Sequence, residues 1–349
     1  MVEKKYIRGV TKRYSMRFPI SLYSSLAIAA FRHLVKGKKR FPLVLMLEPT
    51  HRCNLACAGC DRIRLHSKEQ SQDLSLETCI RAVVESGAPV VTVTGGEPLL
   101  YPDLKPLVAE LLRMKRYVYL CTNGLLTDSF VDEVAPHPRL TLNFHLDGLE
   151  ETHDHITCRP GTFKKTIETI KSAKEKGFRV STNTSVYKTT DAEELERLFE
   201  LLKSIHVDGI LISPAFSYES VEGSIFLTRD EIHEKFGKIA SFFGRFPFIS
   251  SPLYVDFLKG KREMRCVPWG NPTRNPLGWK SPCYLITDRY YDSFDEMMEK
   301  TPWERYGTGN DPRCRNCMVH SGYEASVMKT AFLHPGDLIR LLLWNLKKS

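Results

Sequence analysis

No apolar run in this chain reaches the roughly 18 residues that a membrane-spanning helix needs, so no such helix is expected. The first residues lack an apolar stretch followed by a small-residue cleavage site, which argues against a secretory signal. Internal repeats and low-complexity tracts are missing, which excludes solenoid, collagen-like and largely disordered architectures. The body of the chain also lacks positive charge. Residues 1–40 hold eleven basic groups against the single acid Glu3, so a net charge of +9 leaves the remainder at −1. An enzyme that grips nucleic acid spreads positive charge over its body, so no nucleic-acid partner is expected.

What is present is a chain of 349 residues, long enough for one large α/β domain and a smaller one. Between Leu43 and about Pro214, short apolar runs alternate with helical patterns. Strands are expected at 43–50, 89–96, 117–124, 140–148, 179–186 and 209–215, with helices near 75–87, 103–114, 127–134, 162–176 and 191–204. Such alternation implies a parallel sheet with right-handed crossovers, either open or curled into a partial barrel. Polar residues recur on one face of successive strands: Tyr117, Tyr119, Cys121 and Asn123, then Asn143, His145 and Asp147, then Ser181 and Asn183. A buried parallel strand usually reads apolar on both sides, so this face is expected to line a ligand cavity.

Both ends are amphipathic. In 20–36, Leu22, Tyr23, Leu26, Ala27, Ala30, Phe31 and Leu34 share a broad helical face. Near the C-terminus Leu338, Ile339, Leu342, Leu343 and Leu346 share another, followed by Lys347 and Lys348. Basic flanks on amphipathic helices suit an anionic bilayer surface, although both helices could equally pack on the body.

Ten cysteines without an export signal point to metal or redox chemistry rather than disulfides. Cys53, Cys57 and Cys60 follow the first strand in the spacing CxxxCxxC. Three thiolates so close can hold three irons of a [4Fe–4S] cube and leave the fourth open to a small molecule. Zinc is the alternative, although the usual paired CxxC elements are missing. This motif resembles that of the radical S-adenosylmethionine (radical SAM) enzymes, whose fold is a partial (β/α)6 TIM-like barrel. The resemblance implies a [4Fe–4S] cluster whose open iron chelates SAM. It extends to Gly95-Gly96-Glu97-Pro98 at the end of the second strand, and implies that Gly95, Gly96 and Glu97 meet the SAM ammonium. Asn143 and Asn183 are implied contacts to the ribose or carboxylate of SAM. Many members place an aromatic residue before the third cysteine, where this chain has Gly59.

Cys266, Cys283, Cys314 and Cys317 form a second set that resembles the twitch or SPASM extensions of that superfamily. It implies an auxiliary [4Fe–4S] cluster, with a structural zinc as the alternative. Longer motifs, among them YVYLCTNGLL, HLDGLEETHD, CVPWGNPTRNPLGW and CRNCMVHSGYEA, resemble the adenosylhopane synthase family of hopanoid biosynthesis. That resemblance implies addition of the 5′-deoxyadenosyl group to the alkene of the polycyclic lipid diploptene, with Cys121 as hydrogen-atom donor. It departs at Ser321, where a further cysteine is expected. Implied partners are the lipid, the membrane surface and an electron donor such as flavodoxin or ferredoxin, and the implied location is the inner face of the cytoplasmic membrane. Other readings are a radical SAM enzyme acting on another lipid or a ribosomal peptide, or a membrane-anchored zinc-binding non-enzyme. The expected organisation is a basic amphipathic arm (1–40), the radical SAM core (41–217), a smaller cysteine-containing domain (218–330) and a terminal amphipathic helix (331–349).

Overall fold

The computed structural model describes residues 17–346 apart from 36, 39, 62–71, 219–220 and 222. Seven of the eleven basic groups of the arm, and the terminal lysines, therefore lie outside the described residues. In chain order the elements begin with α1 (Ile20–Val35), β1 (Val44–Thr50), α2 (Leu76–Ser86), β2 (Val90–Gly95), α3 (Leu104–Arg113), β3 (Tyr117–Thr122) and α4 (Thr127–Glu133). There follow β4 (Leu140–His145), α5 (Glu150–Thr157), α6 (Thr162–Glu175), β5 (Arg179–Val186), α7 (Ala192–Ser204) and β6 (Gly209–Pro214). The C-terminal part holds α8 (Arg229–Ile239), α9 (Pro252–Leu258), β7 (Thr273–Asn275), β8 (Gly278–Pro282), β9 (Thr287–Tyr291), α10 (Phe294–Lys300), α11 (His320–Leu333) and α12 (Pro335–Leu346).

The six strands and five helices expected from the sequence all form. The helix α5 was not expected, because EETHDHIT offers little apolar periodicity. Its first turn carries Glu150 and Glu151, which suit the positive end of a helix.

Strands β1 to β6 are parallel neighbours in chain order, and the sheet continues past β1 into β7, β8 and β9. The fold is α/β, built on the parallel sheet expected from the sequence. Alternate residues decide the two faces. Leu45, Leu47, Val91, Val93, Leu120, Leu142, Phe144, Val180, Ile210 and Ile212 are buried in the main core. The residues between them line an inner cavity of about 540 Å³, including Met46, Thr92, Tyr119, Cys121, Asn143 and Asn183. The polar face seen in the sequence is thus the wall of a lumen.

A six-stranded sheet of this kind is open between β1 and β6, and α11 fills that side. His320 N–H donates to Ser213 Oγ on β6 at 3.4 Å. Glu324 accepts from Ser251 N–H at 2.8 Å. On the other side, Val267 N–H donates to Gly322 O, and the same segment reaches β1 through Leu43 N–H to Gly270 O. His320, Glu324, Val327 and Met328, one face of the helix, complete the lumen wall.

The N-terminal ends of the strands are covered by α1. Leu22 packs there with Val90 and Tyr117, joined by Phe18, Leu26 and Val44. Next to it, α12 is tied to the start of α1. Asn345 Oδ1 accepts from Phe18 N–H at 2.9 Å, and Arg17 donates to Phe248 O at 2.9 Å and Trp344 O at 2.6 Å. Removing that guanidinium in Arg17→Ala deletes charge-assisted bonds that join three segments distant in sequence. The expected outcome is a loss of roughly 2 kcal/mol in urea unfolding followed by circular dichroism, read as a lower midpoint.

Candidate active site

The carboxyl ends of the parallel strands gather the motif residues, as the fold leads one to expect. The loop after β1 carries Cys53, Cys57 and Cys60, all partly buried free thiols facing the cavity. The loop is pinned to α5 by Ala58 N–H donating to Ile156 O at 2.8 Å. Burial pushes the Cys53 thiol up to about 11, with added repulsion from Glu97 and Cys60. Burial raises Cys57 further, with Cys60 and Cys53 adding to the effect. Neutral thiols this close would release protons on binding a metal group. Among the described residues, no three His, Cys, Asp or Glu side chains converge as a single ion requires.

Gly95 and Gly96 are required by the chain itself. A Cβ at Gly96 would stand 2.0 Å from Arg52 O, and one at Gly95 2.5 Å from Thr50 O, with Gly95 at φ +115°. The amides of Gly96 and Glu97 donate to Thr50 O at 3.0 Å and Arg52 O at 2.7 Å. The glycines thus bring the second strand against the root of the cysteine loop, and both still border the cavity. Glu97 is 1% exposed. Its carboxylate accepts from Thr122 Oγ1 at 2.9 Å, Asn123 N–H at 2.8 Å and Leu99 N–H at 3.1 Å. Burial still raises it to about 7. A carboxylate offers about four lone-pair positions, so one remains for an incoming ammonium, whose charge would also favour ionisation. Asn123 extends the network by donating to Asn54 Oδ1 in the cysteine loop at 2.7 Å.

The two asparagines differ. Asn183 Oδ1 is buried at the cavity wall with no hydrogen-bond partner, the state of a group awaiting a ligand. Asn143 is occupied within the chain: it accepts from Ser181 Oγ at 2.8 Å and donates to Cys121 Sγ at 3.5 Å. The register that pairs Cys121 with Asn143 across β3 and β4 sets this contact. Asn143 therefore orients a thiol as well as bordering the cavity. Burial raises Cys121 to about 11, and the Asn143 N–H only partly offsets it.

Two features go beyond the sequence pattern: the pairing of His145, which that pattern does place on the polar face, and one residue that it misses. His145 lines the cavity and lies 2.6 Å from Asp147. Burial opposes the imidazolium, yet the Asp147 charge and hydrogen bond leave His145 raised overall. The second is Tyr187, just past β5. A Cβ at Gly59 would meet its hydroxyl at 2.3 Å, so an aromatic ring comes from another strand to lie beside Gly59.

The later cysteines also converge. Cys266, Cys283, Cys314 and Cys317 line one small cavity together with Ser321. Burial raises all four thiols, Cys314 to about 11 and Cys317 to about 12. Phe216, Asn271, Tyr284 and Leu285 border both cavities and form the partition between them.

Residues 47–202 match the family model described as "Radical SAM superfamily". This segment belongs to the radical SAM superfamily. Residues 210–341 match a "Domain of unknown function (DUF3463)". The chain is 32% identical to an AdoMet-dependent heme synthase of Methanosarcina barkeri, over 47% of this chain and 48% of that protein. It is 25% identical to the antilisterial bacteriocin subtilosin biosynthesis protein AlbA of Bacillus subtilis, over 83% of this chain and 68% of that one. The chain spans about half to two thirds of the curated relatives it matches. In fold it is similar to Streptococcus suis SuiB bound to S-adenosylmethionine, with a TM-score of 0.65, 17% identity, and coverage of 86% of this chain and 78% of that one. The cofactors are those of the superfamily, a [4Fe–4S] cluster and SAM. The cysteine loop, the spare acceptor of Glu97 and the unpartnered Asn183 Oδ1 fit them.

The neutral state of the Cys121 thiol has a direct readout. With its thiol moved from 9.0 to about 11, the thiolate fraction at neutral pH falls about a hundredfold below that of an ordinary cysteine. Iodoacetamide should label the Cys121 peptide correspondingly slowly at pH 7.5, and faster as pH rises toward the thiol's own value. Quantitative peptide mass spectrometry checks this.

Proposed function

We propose that this chain is a radical SAM enzyme that works at the cytoplasmic membrane surface and adds a 5′-deoxyadenosyl group to the alkene of a hopanoid hydrocarbon, diploptene to adenosylhopane. The observation that carries this reading is Cys121, a half-buried thiol that accepts a hydrogen bond from Asn143 at the wall of the lumen. In this reading Cys53, Cys57 and Cys60 hold the cluster, Glu97 and Asn183 hold SAM, and Gly95 and Gly96 set the wall. When bound and reduced, the cluster and SAM supply a deoxyadenosyl radical for addition to carbon.

Addition to a terminal alkene leaves the substrate one hydrogen atom short. The S–H bond is weaker than the tertiary C–H bond formed, so Cys121 Sγ–H gives its hydrogen atom downhill. One electron from an external donor such as flavodoxin or ferredoxin, with a proton from water, restores the thiol. Burial keeps the proton on sulfur, where an ionised thiolate would have no hydrogen atom to give. Leu22, Leu26, Met46, Ile249 and Val327 supply the apolar lining that a hydrocarbon requires. Cys266, Cys283, Cys314 and Cys317 hold an auxiliary [4Fe–4S] cluster.

The membrane part of the reading is supported by exposure. Eight of the ten large apolar side chains exposed among the described residues belong to α1 and α12. Phe31 is 68% exposed and Leu343 63%. Neither helix is long and apolar enough to cross a membrane. An apolar helix face next to a basic arm matches an anionic bilayer in both hydrophobicity and charge. A second reading, peptide modification, is favoured by the names of two relatives, AlbA and the sporulation killing factor maturation protein SkfB, both of Bacillus subtilis.

Three outcomes test this. Replacing Cys53, Cys57 or Cys60 by Ala abolishes reductive SAM cleavage in anaerobic assays, and an iron- and sulfide-free, zinc-loaded wild type would overturn the chemistry. Cys121→Ala still cleaves SAM but loses adenosylated product or its stereochemical control, as chromatography with mass detection reads. Deletion of residues 1–36, or added salt on the intact chain, weakens co-sedimentation with anionic vesicles.

A further inference from the structure

The lumen continues beyond the reacting end. It runs the length of the strands from the cysteine loop to their N-terminal ends, where its lining includes Phe18, Tyr23 and Leu26 at α1, and Leu341 and Trp344 of α12. The side opening between β1 and β6 is filled by α11. The end near the cysteines is the place of SAM in the reading above. An insoluble hydrocarbon therefore needs a third way in.

The two helices at the N-terminal end have the form of such an entrance. Each carries apolar side chains on opposite faces. On α1, Leu22 and Ala30 are buried while Ile28, Phe31 and Val35 are exposed. On α12, Leu341 is buried while Leu338, Ile339, Leu342, Leu343 and Leu346 are exposed. An ordinary surface helix has one apolar stripe, directed at the core. The seam is tied at one end, where Arg17 and Phe18, just before α1, hydrogen-bond Trp344 and Asn345 of α12. Phe18 and Trp344 meet with ring centroids 6.0 Å apart, and Arg17 lies 5.3 Å over the Trp344 ring. Phe18, Tyr23, Leu26 and Trp344 are each only half-buried, as residues at a mouth are.

We infer that the hydrocarbon leaves the bilayer directly into the lumen through the seam between α1 and α12, at the N-terminal ends of the strands. SAM and substrate then reach Cys121 from opposite ends of the sheet. The outer faces of the two helices lie in the lipid, the inner faces line the passage, and the hydrocarbon crosses no water. The bilayer is the occupant of the outer faces because their apolar surface is continuous with the lumen and the adjoining arm is strongly basic. The inference rests on the membrane-surface reading and adds the route.

Vesicles of phosphatidylglycerol and phosphatidylethanolamine carrying a trace of diazirine-tagged alkane test the route with the full chain, read by peptide mass spectrometry after irradiation. Label is expected on the outward Phe31 and Leu343 and also on the inward Leu22 and Tyr119. Leu26→Trp narrows the seam and should lower the inward label about fivefold while the outward label persists. Leu26→Phe serves the same purpose with a smaller intrusion, and Val84→Trp, on the distant α2, should leave the pattern as in the wild type. Label confined to the outward residues would overturn the route while leaving membrane docking intact. Absence of label from both helices would remove the membrane reading and the route with it. Inward label insensitive to both Leu26 variants would overturn the seam as the entrance.

Discussion

Burying one carboxylate organises the reacting end of this molecule. Glu97 is almost wholly buried, so its oxygens must be met from within, and the donors come from the end of β3 and a short turn after β2. Meeting them fixes Thr122 and Asn123 at the end of β3, and Asn123 in turn holds Asn54 in the cysteine loop. The glycines before Glu97 allow β2 to press on the backbone of residues 50–52 closely enough for this arrangement.

The lumen is shaped by what closes it. Parallel strands built on alternation put branched apolar side chains toward the helices and polar ones inward, leaving space that the core does not fill. The segment after β6 returns twice, as strands β7 to β9 extending the sheet beyond β1, and as α11 filling the open side. One chain thus makes both a second cysteine pocket and a wall of the first cavity. Phe216, Asn271, Tyr284 and Leu285 border both.

Cys121 illustrates how environment selects chemistry. A cysteine beside cationic groups would ionise and become a nucleophile. Here the neighbours are an amide and, farther off, a carboxylate, and the thiol keeps its proton. The same sulfur is therefore poorly suited to nucleophilic attack. Asn143 supplies direction without charge.

Much of this was legible in the sequence because it is local. Strand and helix alternation, the CxxxCxxC loop and GGEP each follow from residues within a few positions of one another, and the polar stripe follows from a period of two. What the tertiary structure alone decided are pairings across long stretches of chain. Asn143 shares a strand face with His145, but only the β3–β4 register reveals that its amide meets Cys121. Gly59 reads as a missing aromatic until Tyr187, more than a hundred residues later, lies against it. The apolar face of α12 is visible as a pattern, yet whether a core covers it depends on where Arg17 and Asn345 dock the helix. Periodicity tells which residues travel together, and only packing tells what they face.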